Sequence, residues 1–439
     1  MKKNTPKILA VVLLSTIAIL MIIAGSGSLK SVFNADNFNE DTPPSVDAVG
    51  NESNPPSTDD NPIKEPESAI PDVEHFPIHA SMDGIHRYEQ KLNLSGPILE
   101  AVHSTSEGSY VIFTHETSDG PFKVSKRTQT IILIDEQGTI LSAYSLTQNM
   151  QTSFLASQVA ESGLVVAVKD AQKTYLYTLS YDFKQLDLIE LPVFNSAMIY
   201  TLSNSLLLFG EGKERTLYKI FNNTIVATNS IQQGSVIRVF DFGTQYLFFL
   251  SGINGYSCVK LSEDLKLIST ITMQDKTLLA VEPIVENGIQ KYILAENSHN
   301  GVEIVKYDNN FSQLTAERVG VGLAESASVY MNGESLFLLL KASSPRLYLV
   351  DKSLNFTSSN NTTFQGLTEI YDCYTHVDGY SVLYAKGETL TLTEIRNDGI
   401  IHSLNLDAIA SRACVFIARD LKTSVVYVYG DMLNIIGLA

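Results

Sequence analysis

One feature limits what this chain can fold into more than any other: a turn signal followed by a short apolar run recurs along most of its length. Asn332-Gly333-Glu334 leads into Ser335 and the run Leu336-Phe337-Leu338-Leu339-Leu340. The same arrangement returns as EGSYVIFT from Glu107, ESGLVVAV from Glu161, SNSLLLFG from Ser203, FGTQYLFFL from Phe242, ENGIQKYIL from Glu286, VDGYSVLYA from Val377 and LKTSVVYVY from Leu421. The runs start at Ser109, Gly163, Ser205, Gln245, Gln290, Ser335, Tyr380 and Ser424, so the steps are 54, 42, 40, 45, 45, 45 and 44 residues. Each run is too short to span a membrane as a helix, and the turn residues before it favour a buried strand.

A second series lies out of phase with the first. TIILIDEQGTIL from Thr130, YLYTLSYDFKQLDL from Tyr175, LYKIFNNTIV from Leu217, CVKLSEDLKLI from Cys258, EIVKYDNNFSQL from Glu303, LYLVDKSLNFT from Leu347 and LTEIRNDGIIHSL from Leu392 each join two strand-like runs through an Asp- or Asn-bearing turn. These are hairpin signatures. Each unit of about 45 residues therefore predicts four short strands in a meander. The second strand, such as Leu336 to Leu340 or Tyr246 to Leu250, is apolar at nearly every position, the pattern of a strand covered on both faces. The fourth, such as Thr139 to Leu146 or Thr224 to Ile231, mixes in polar residues, as an outer edge does.

Four strands per unit at this period resembles the β-propeller superfamily, over residues 77–439. The eighth unit ends at Met432 to Ala439, one strand short. Residues 84–93, Gly84 to Asn93, offer the missing strand from the other end of the folded part. The expected fold is all-β, an eight-bladed propeller of four-stranded antiparallel blades closed by that strand, with seven blades and a stray hairpin as the alternative. The resemblance is one of architecture. The sequence contains no Trp, so the WD dipeptide, the sialidase-type Asp box and the tryptophan docking pattern of quinoprotein repeats are missing, and no subfamily or activity follows.

The first 76 residues are different material. Residues 1–7 carry Lys2, Lys3 and Lys7, and Ile8 to Ala24 is an apolar run interrupted by Ser15 and Thr16. Lysines before such a run stay inside, which predicts a single transmembrane anchor at 8–24 with the rest of the chain outside the cytoplasmic membrane. A secretory signal cleaved near Ser26 is the alternative, and with no cysteine after the run, lipoprotein attachment is not expected. Residues 25–76 hold seven of the fourteen prolines and eleven acids against two lysines. Too little apolar surface is present there to offset ordering entropy, so a disordered, acidic linker is expected.

Net charge is −17. An acidic chain without a basic tract repels phosphate backbones, which makes nucleic acid an unsuitable partner. Cys258, Cys373 and Cys414 have no CxxC or Cys/His spacing, so neither a zinc site nor a disulfide scaffold is predicted. They read as buried thiols, or as one thiol and a Cys373–Cys414 bridge between inner strands of neighbouring repeats.

No phosphate-binding loop, zincin, nucleophile-elbow or EF-hand motif occurs, and no catalytic residue, metal site or cofactor is predicted. Asp308-Asn309-Asn310 and Asn397-Asp398-Gly399 look like pieces of calcium loops but lack the further ligands, and they sit where hairpin turns are expected. Candidate binding residues come from the ends of the second strands, where propellers meet ligands: His115, Lys169, Glu211, Glu296, Lys341 and Lys386, a ring of charges at a channel mouth. The stretch His115 to Thr128 reads as the longest loop of that face and adds Glu116, Lys123, Lys126 and Arg127. Glu296-Asn297-Ser298-His299-Asn300 adds His299, with a Glu296–His299 pairing as the one catalytic arrangement in view. Two functions fit: a non-catalytic, membrane-tethered binding or scaffold propeller recognising a protein or cell-envelope polymer, or a propeller hydrolase or lyase acting on polysaccharide.

Overall fold

The structure, a computed structural model, describes residues 73–74, 86–119, 124–146, 152–202, 205–231, 234–319, 322–332, 335–342, 346–359, 367–376, 379–396, 401–406, 410–417 and 423–438. The predicted tail at 1–7, the apolar segment at 8–24 and nearly all of the linker at 25–76 lie outside them, as do Gly84 and Ile85. The described residues form eight antiparallel sheets. Blade 1 comprises Ser95–Ser104, Ser109–Asp119, Val124–Ile134 and Ile140–Ser145, from inner to outer strand, and blades 2 to 7 repeat this order along the chain. First strands of blades 1 and 2, 2 and 3, 5 and 6, 6 and 7, 7 and 8, and 8 and 1 touch one another, which places them around the axis. The inner strands of blades 1 to 7 each carry a β-bulge, as at Val236/Arg238 and Leu278/Ala280, and bulges sharpen the local twist.

Blade 8 is assembled from both ends of the folded part. Arg412–Ile417, Thr423–Tyr429 and Met432–Leu438 supply three strands, and His86–Asn93 pairs antiparallel with the last of them, Glu89 opposite Ile436 and Leu92 opposite Leu433. Val73–Glu74 adds a short fifth strand outside Leu92 and Lys91. With eight sheets present, the seven-bladed alternative falls.

The all-apolar second strands are explained by where their alternate residues go. Leu336, Leu338 and Leu340 pack into the core between blades 5 and 6, while Phe337 and Leu339 enter the core between blades 6 and 7. Successive side chains of a strand point to opposite faces, and here both faces meet a neighbouring sheet. Each fully buried Leu contributes about 1.5–3 kcal/mol. Among the described residues the core divides into eight such clusters, one for each interface between blades.

The turns between third and outer strands follow one pattern in blades 2, 4, 5 and 6. A Ser or Asp opens the turn, and its backbone pairs with the fifth residue: Ser262 N donates to Lys266 O at 2.8 Å and Asp308 N to Ser312 O at 3.0 Å. The opening side chain accepts from backbone amides, as Asp308 Oδ1 does from Asn310 N at 2.9 Å and Ser312 N at 2.8 Å. This is the ordinary use of Asp at a turn, and it accounts for Asp308-Asn309-Asn310. The fourth residue has positive φ yet is not glycine: Phe183 (62°), Leu265 (63°), Phe311 (60°) and Leu354 (69°). A bulky residue there is strained. Its side chain repays the strain by plugging the core against the preceding blade, where all four are buried.

Blade 1 solves the same problem differently. Its turn has Gly138 at the fourth position (φ +79), and a Cβ there would lie 2.2 Å from the ring of Tyr88, which comes from the outer strand of blade 8. The ring also lies against Gly437, where a Cβ would again be 2.2 Å away. Tyr88 thus fills the slot that the turn fills in other blades, and its hydroxyl lies 3.2 Å from Ser424 Oγ.

Cys373 and Cys414 stand on the inner strands of blades 7 and 8, but no disulfide joins them. Cys373 packs against the core between blades 6 and 7, and Cys414 against the core between blades 8 and 1. The two thiols serve opposite faces of adjacent sheets, so the bridge is ruled out by direction. Burial pushes the Cys414 thiol up to about 12.

Candidate functional site

The turns between second and third strands and the connections between blades lie on one face of the propeller, here the upper face. The described sequence-derived candidates belong to it, and three of them, Lys169, Glu211 and Glu296, are engaged in holding blades together. His115 is not on a loop: Ser109–Asp119 and Val124–Ile134 continue as a paired hairpin, with His115 opposite Thr128, Glu116 opposite Arg127 and Thr117 opposite Lys126. Threonines and alternating polarity extend the strands beyond the blade. His115 is buried beside Phe113, with Nε2 3.0 Å from Thr130 Oγ1, and burial lowers its pKa. Glu116 and Arg127 are exposed on the hairpin and Lys126 is half-buried; Lys123 lies outside the described residues.

The anticipated ring of charges is instead a set of local ties. Lys169 Nζ donates to Asn195 O of the next blade at 3.3 Å. Glu211 accepts from Ser196 Oγ at 2.8 Å and from Ser235 Oγ of blade 4 at 3.0 Å, and pairs with Arg215 at 3.2 Å. Lys341 pairs with Glu325 at 3.7 Å. Lys386 is exposed at the end of its strand. The opposite charges on adjacent blades, Lys169 with Glu211 and Glu296 with Lys341, do not meet.

Glu296 departs furthest from expectation. It is 0% exposed. Its carboxylate accepts from Tyr256 Oη of blade 4, from Tyr307 Oη at 3.3 Å and from Lys276 Nζ at 2.5 Å. Burial, then the Glu296 charge, pushes the Tyr256 phenol far above its ordinary range. For Lys276, burial pulls the pKa down, but the hydrogen bond and charge of Glu296 outweigh it and the net shift is upward. A carboxylate taken out of water needs partners of this number to offset its lost hydration. The network is a clamp between blades 4 and 5, and His299 is not among its partners.

Directly beside this clamp lies an open groove of about 770 Å³. Asp275 and Thr277, either side of Lys276, form one wall; the hairpin Asn297 to Gly301, following Glu296, forms the second; Arg318, the last residue of the outer strand of blade 5, and Leu323, from the connection to blade 6, form the third. Asn297 anchors the groove, since its side chain donates to Ala324 O at 2.8 Å and accepts from Ala324 N at 3.0 Å. Ser298 Oγ holds the hairpin through Gly301 O at 3.2 Å and Glu303 Oε1 at 3.0 Å. His299, Asn300, Asp275 and Arg318 are left exposed at the surface. The apolar Leu323 lines the groove with them, and the fully exposed Ile253, at the tip of the blade 4 hairpin, precedes Asn254, whose carbonyl accepts from Asp275 N at 3.0 Å. Among the described residues no cluster of His, Cys, Asp and Glu has a metal-binding arrangement.

Sequence reasoning reached Glu296 and His299 through their place at the end of a second strand. It missed Asp275, Lys276 and Leu323, which lie on connections between blades, and Arg318, the last residue of the outer strand of blade 5. The stretch Gly252-Ile253-Asn254-Gly255 did carry a signal, an apolar residue inside a tight polar turn.

No protein-family model matches the chain, and no curated protein does. Similarity is to solved propeller structures. The Dos1 propeller aligns with a TM-score of 0.55 at 9% identity, covering 79% of this chain and 94% of that one. The dihydro-heme d1 dehydrogenase NirN, in complex with DHE, aligns with a TM-score of 0.50 at 14% identity over 72% of this chain and 67% of its own. BamB from Moraxella catarrhalis aligns with a TM-score of 0.49 at 11% identity over 78% of this chain and 99% of its own. At such identities the likeness is one of fold alone.

Proposed function

We propose that this chain is a non-catalytic recognition propeller that binds a protein partner across the upper face of blades 4 to 6, and that residues 8–24 tether it outside the cytoplasmic membrane. The observation that carries the reading is the groove beside the Glu296 clamp. Its exposed polar residues, Asp275, His299 and Arg318, share the lining with the apolar Leu323, and the fully exposed Ile253 stands one residue before Asn254, which bonds to Asp275. Apolar anchors amid polar groups are the composition of a protein interface. The groove is open, and the one buried carboxylate next to it is fully engaged by a lysine and two tyrosines. A hydrolase or lyase site needs an acid and a base aimed at the substrate, and this clamp aims none.

Site-specific photocrosslinking in the native host tests the proposal. A crosslinker at position 253 or 323 is expected to give one discrete protein adduct, while the same group at Val226, exposed on the outer edge of blade 3, gives none. Equal labelling at all three positions, or none at any, overturns it. A periplasm-active reporter enzyme fused after residue 76 tests the tether: activity is expected with residues 1–25 present and absent without them.

A further inference from the structure

The longer turns of blades 2, 4, 5 and 6 plug the space against the preceding blade with Phe183, Leu265, Phe311 and Leu354, and Tyr88 plugs it for blade 1. Blade 3 has no plug. Its third and outer strands are joined by a two-residue turn, Asn222-Asn223, with φ of 47° and 57°, the geometry of a type I′ hairpin. Two residues are too few to send a side chain back into the interface with blade 2. A cavity of about 320 Å³ stands at that place, on the lower face. Its apolar floor is Leu206 and Ile220, and its rim is Glu161, Ser162 and the two asparagines. Ser205 also lines it, at 9% exposure, and among the described residues its Oγ has no hydrogen-bond partner. A buried hydroxyl without a partner is a cost that a bound polar group removes.

We propose that this vacant slot is a peptide-binding site that takes a leucine or phenylalanine side chain from a partner polypeptide, with a basic residue next to it. The apolar part of the occupant is set by what fills the equivalent slots of this same molecule. In the blade 4 case, Leu265 is inserted next to Leu202 in the core between blades 3 and 4, and its carbonyl accepts from Asn229 Nδ2 at 2.6 Å. The basic neighbour follows from charge. Among the described residues of the lining Glu161 is the ionisable one and none is a cation, and the chain as a whole carries −17. Two of the plugged turns place Lys184 and Lys266 directly after the plug. Among the described residues the lining contains no aromatic ring, the usual platform for a sugar. The main-chain groups of the bound segment meet Ser205, Ser162 and the asparagine amides. This site lies on the opposite face from the blade 5 groove and does not rest on that assignment.

The test uses the full chain and an acetylated, amidated peptide with the sequence of residues 262–267, Ser-Glu-Asp-Leu-Lys-Leu, read by NMR shift changes or fluorescence anisotropy. Saturable binding is expected, weakened about tenfold or more when the leucine at peptide position four becomes alanine. A chain whose Asn222-Asn223 turn is replaced by Glu-Asp-Leu-Lys plugs its own slot and is expected to lose the peptide while melting higher. Because a grafted turn can misfold, Ala160→Leu, which narrows the slot from the opposite wall, is the second variant and is also expected to lose binding. Ile253→Asp on the upper face leaves binding unchanged. The idea is overturned if neither this peptide nor the blade 2 equivalent, residues 180–185, saturates. It is overturned too if both slot variants bind as the parent does, or if the grafted chain is stabilised although the parent binds only a chitin or maltose oligosaccharide.

Discussion

Replacing Tyr88 by alanine tests the closure of the ring. The side chain is 4% exposed and sits between Gly138 and Gly437, in the cluster with Leu92, Val111 and Val428. Truncating a large aromatic side chain in a core costs about 3–5 kcal/mol, depending on how far the site collapses. Here two of the walls are backbone, one a strand of blade 8 and the other a turn of blade 1, so little collapse is available and a loss of about 4–5 kcal/mol is expected. Tyr88→Phe keeps the ring, removes the contact with Ser424 Oγ and is expected to cost about 1 kcal/mol. Equilibrium urea unfolding measures both, and amide exchange locates the effect: in the alanine variant His86–Asn93 is expected to lose protection before the inner blades do. A sharper arm follows from the other turns. Gly138→Leu alone places a Cβ inside the Tyr88 ring and is strongly destabilising, but combined with Tyr88→Ala it recreates the plug of blade 4, so the double variant is expected to be more stable than Gly138→Leu alone. An alanine variant within about 1 kcal/mol of the parent, with unchanged exchange in His86–Asn93, refutes the account of closure.

Three further outcomes follow. Lys276→Ala leaves the Glu296 charge buried with only tyrosine hydroxyls, and loss of one partner of a buried pair costs about 3–5 kcal/mol; Glu296→Gln in the same background is expected to recover part of it, as urea midpoints will show. Burial lifts Glu282 to about 7 from an ordinary 4.5, with Arg238 opposing. The folded state therefore binds this proton more tightly than the unfolded one. Its contribution is full below about pH 4.5 and is lost as pH rises through about 7, so Glu282→Gln is expected to flatten the fall of stability with pH across that window. Phe311→Ala removes a plug stacked on Tyr292 at 4.9 Å between ring centroids and is expected to cost about 3–5 kcal/mol, whereas Phe221→Ala, on an exposed side chain, changes the melting temperature little.

Much of the fold was readable because each blade announces itself locally. A run such as SLFLLL has no polar face, and a strand with two buried faces between turns is stable only between two sheets. The candidate site was less readable. Glu296 and Lys341 have the same position at the end of a second strand and look alike in sequence. One is buried under two tyrosines and a lysine, and the other stands at the surface beside Glu325. What separates them is the neighbouring blade's contribution, Tyr256 and Lys276, which no pattern around residue 296 contains.

The amino-acid order alone determined the number of repeats, their strands and the turns that join them, since these depend on alternation and turn chemistry within a few residues. Only the packed ring decided that Tyr88 takes the place of a side chain at Gly138, that Cys373 and Cys414 face different interfaces, and that one slot of six stands open among the described turns of blades 1 to 6. Those features arise where side chains from separate blades compete for one volume, and that volume exists only once the sheets are side by side.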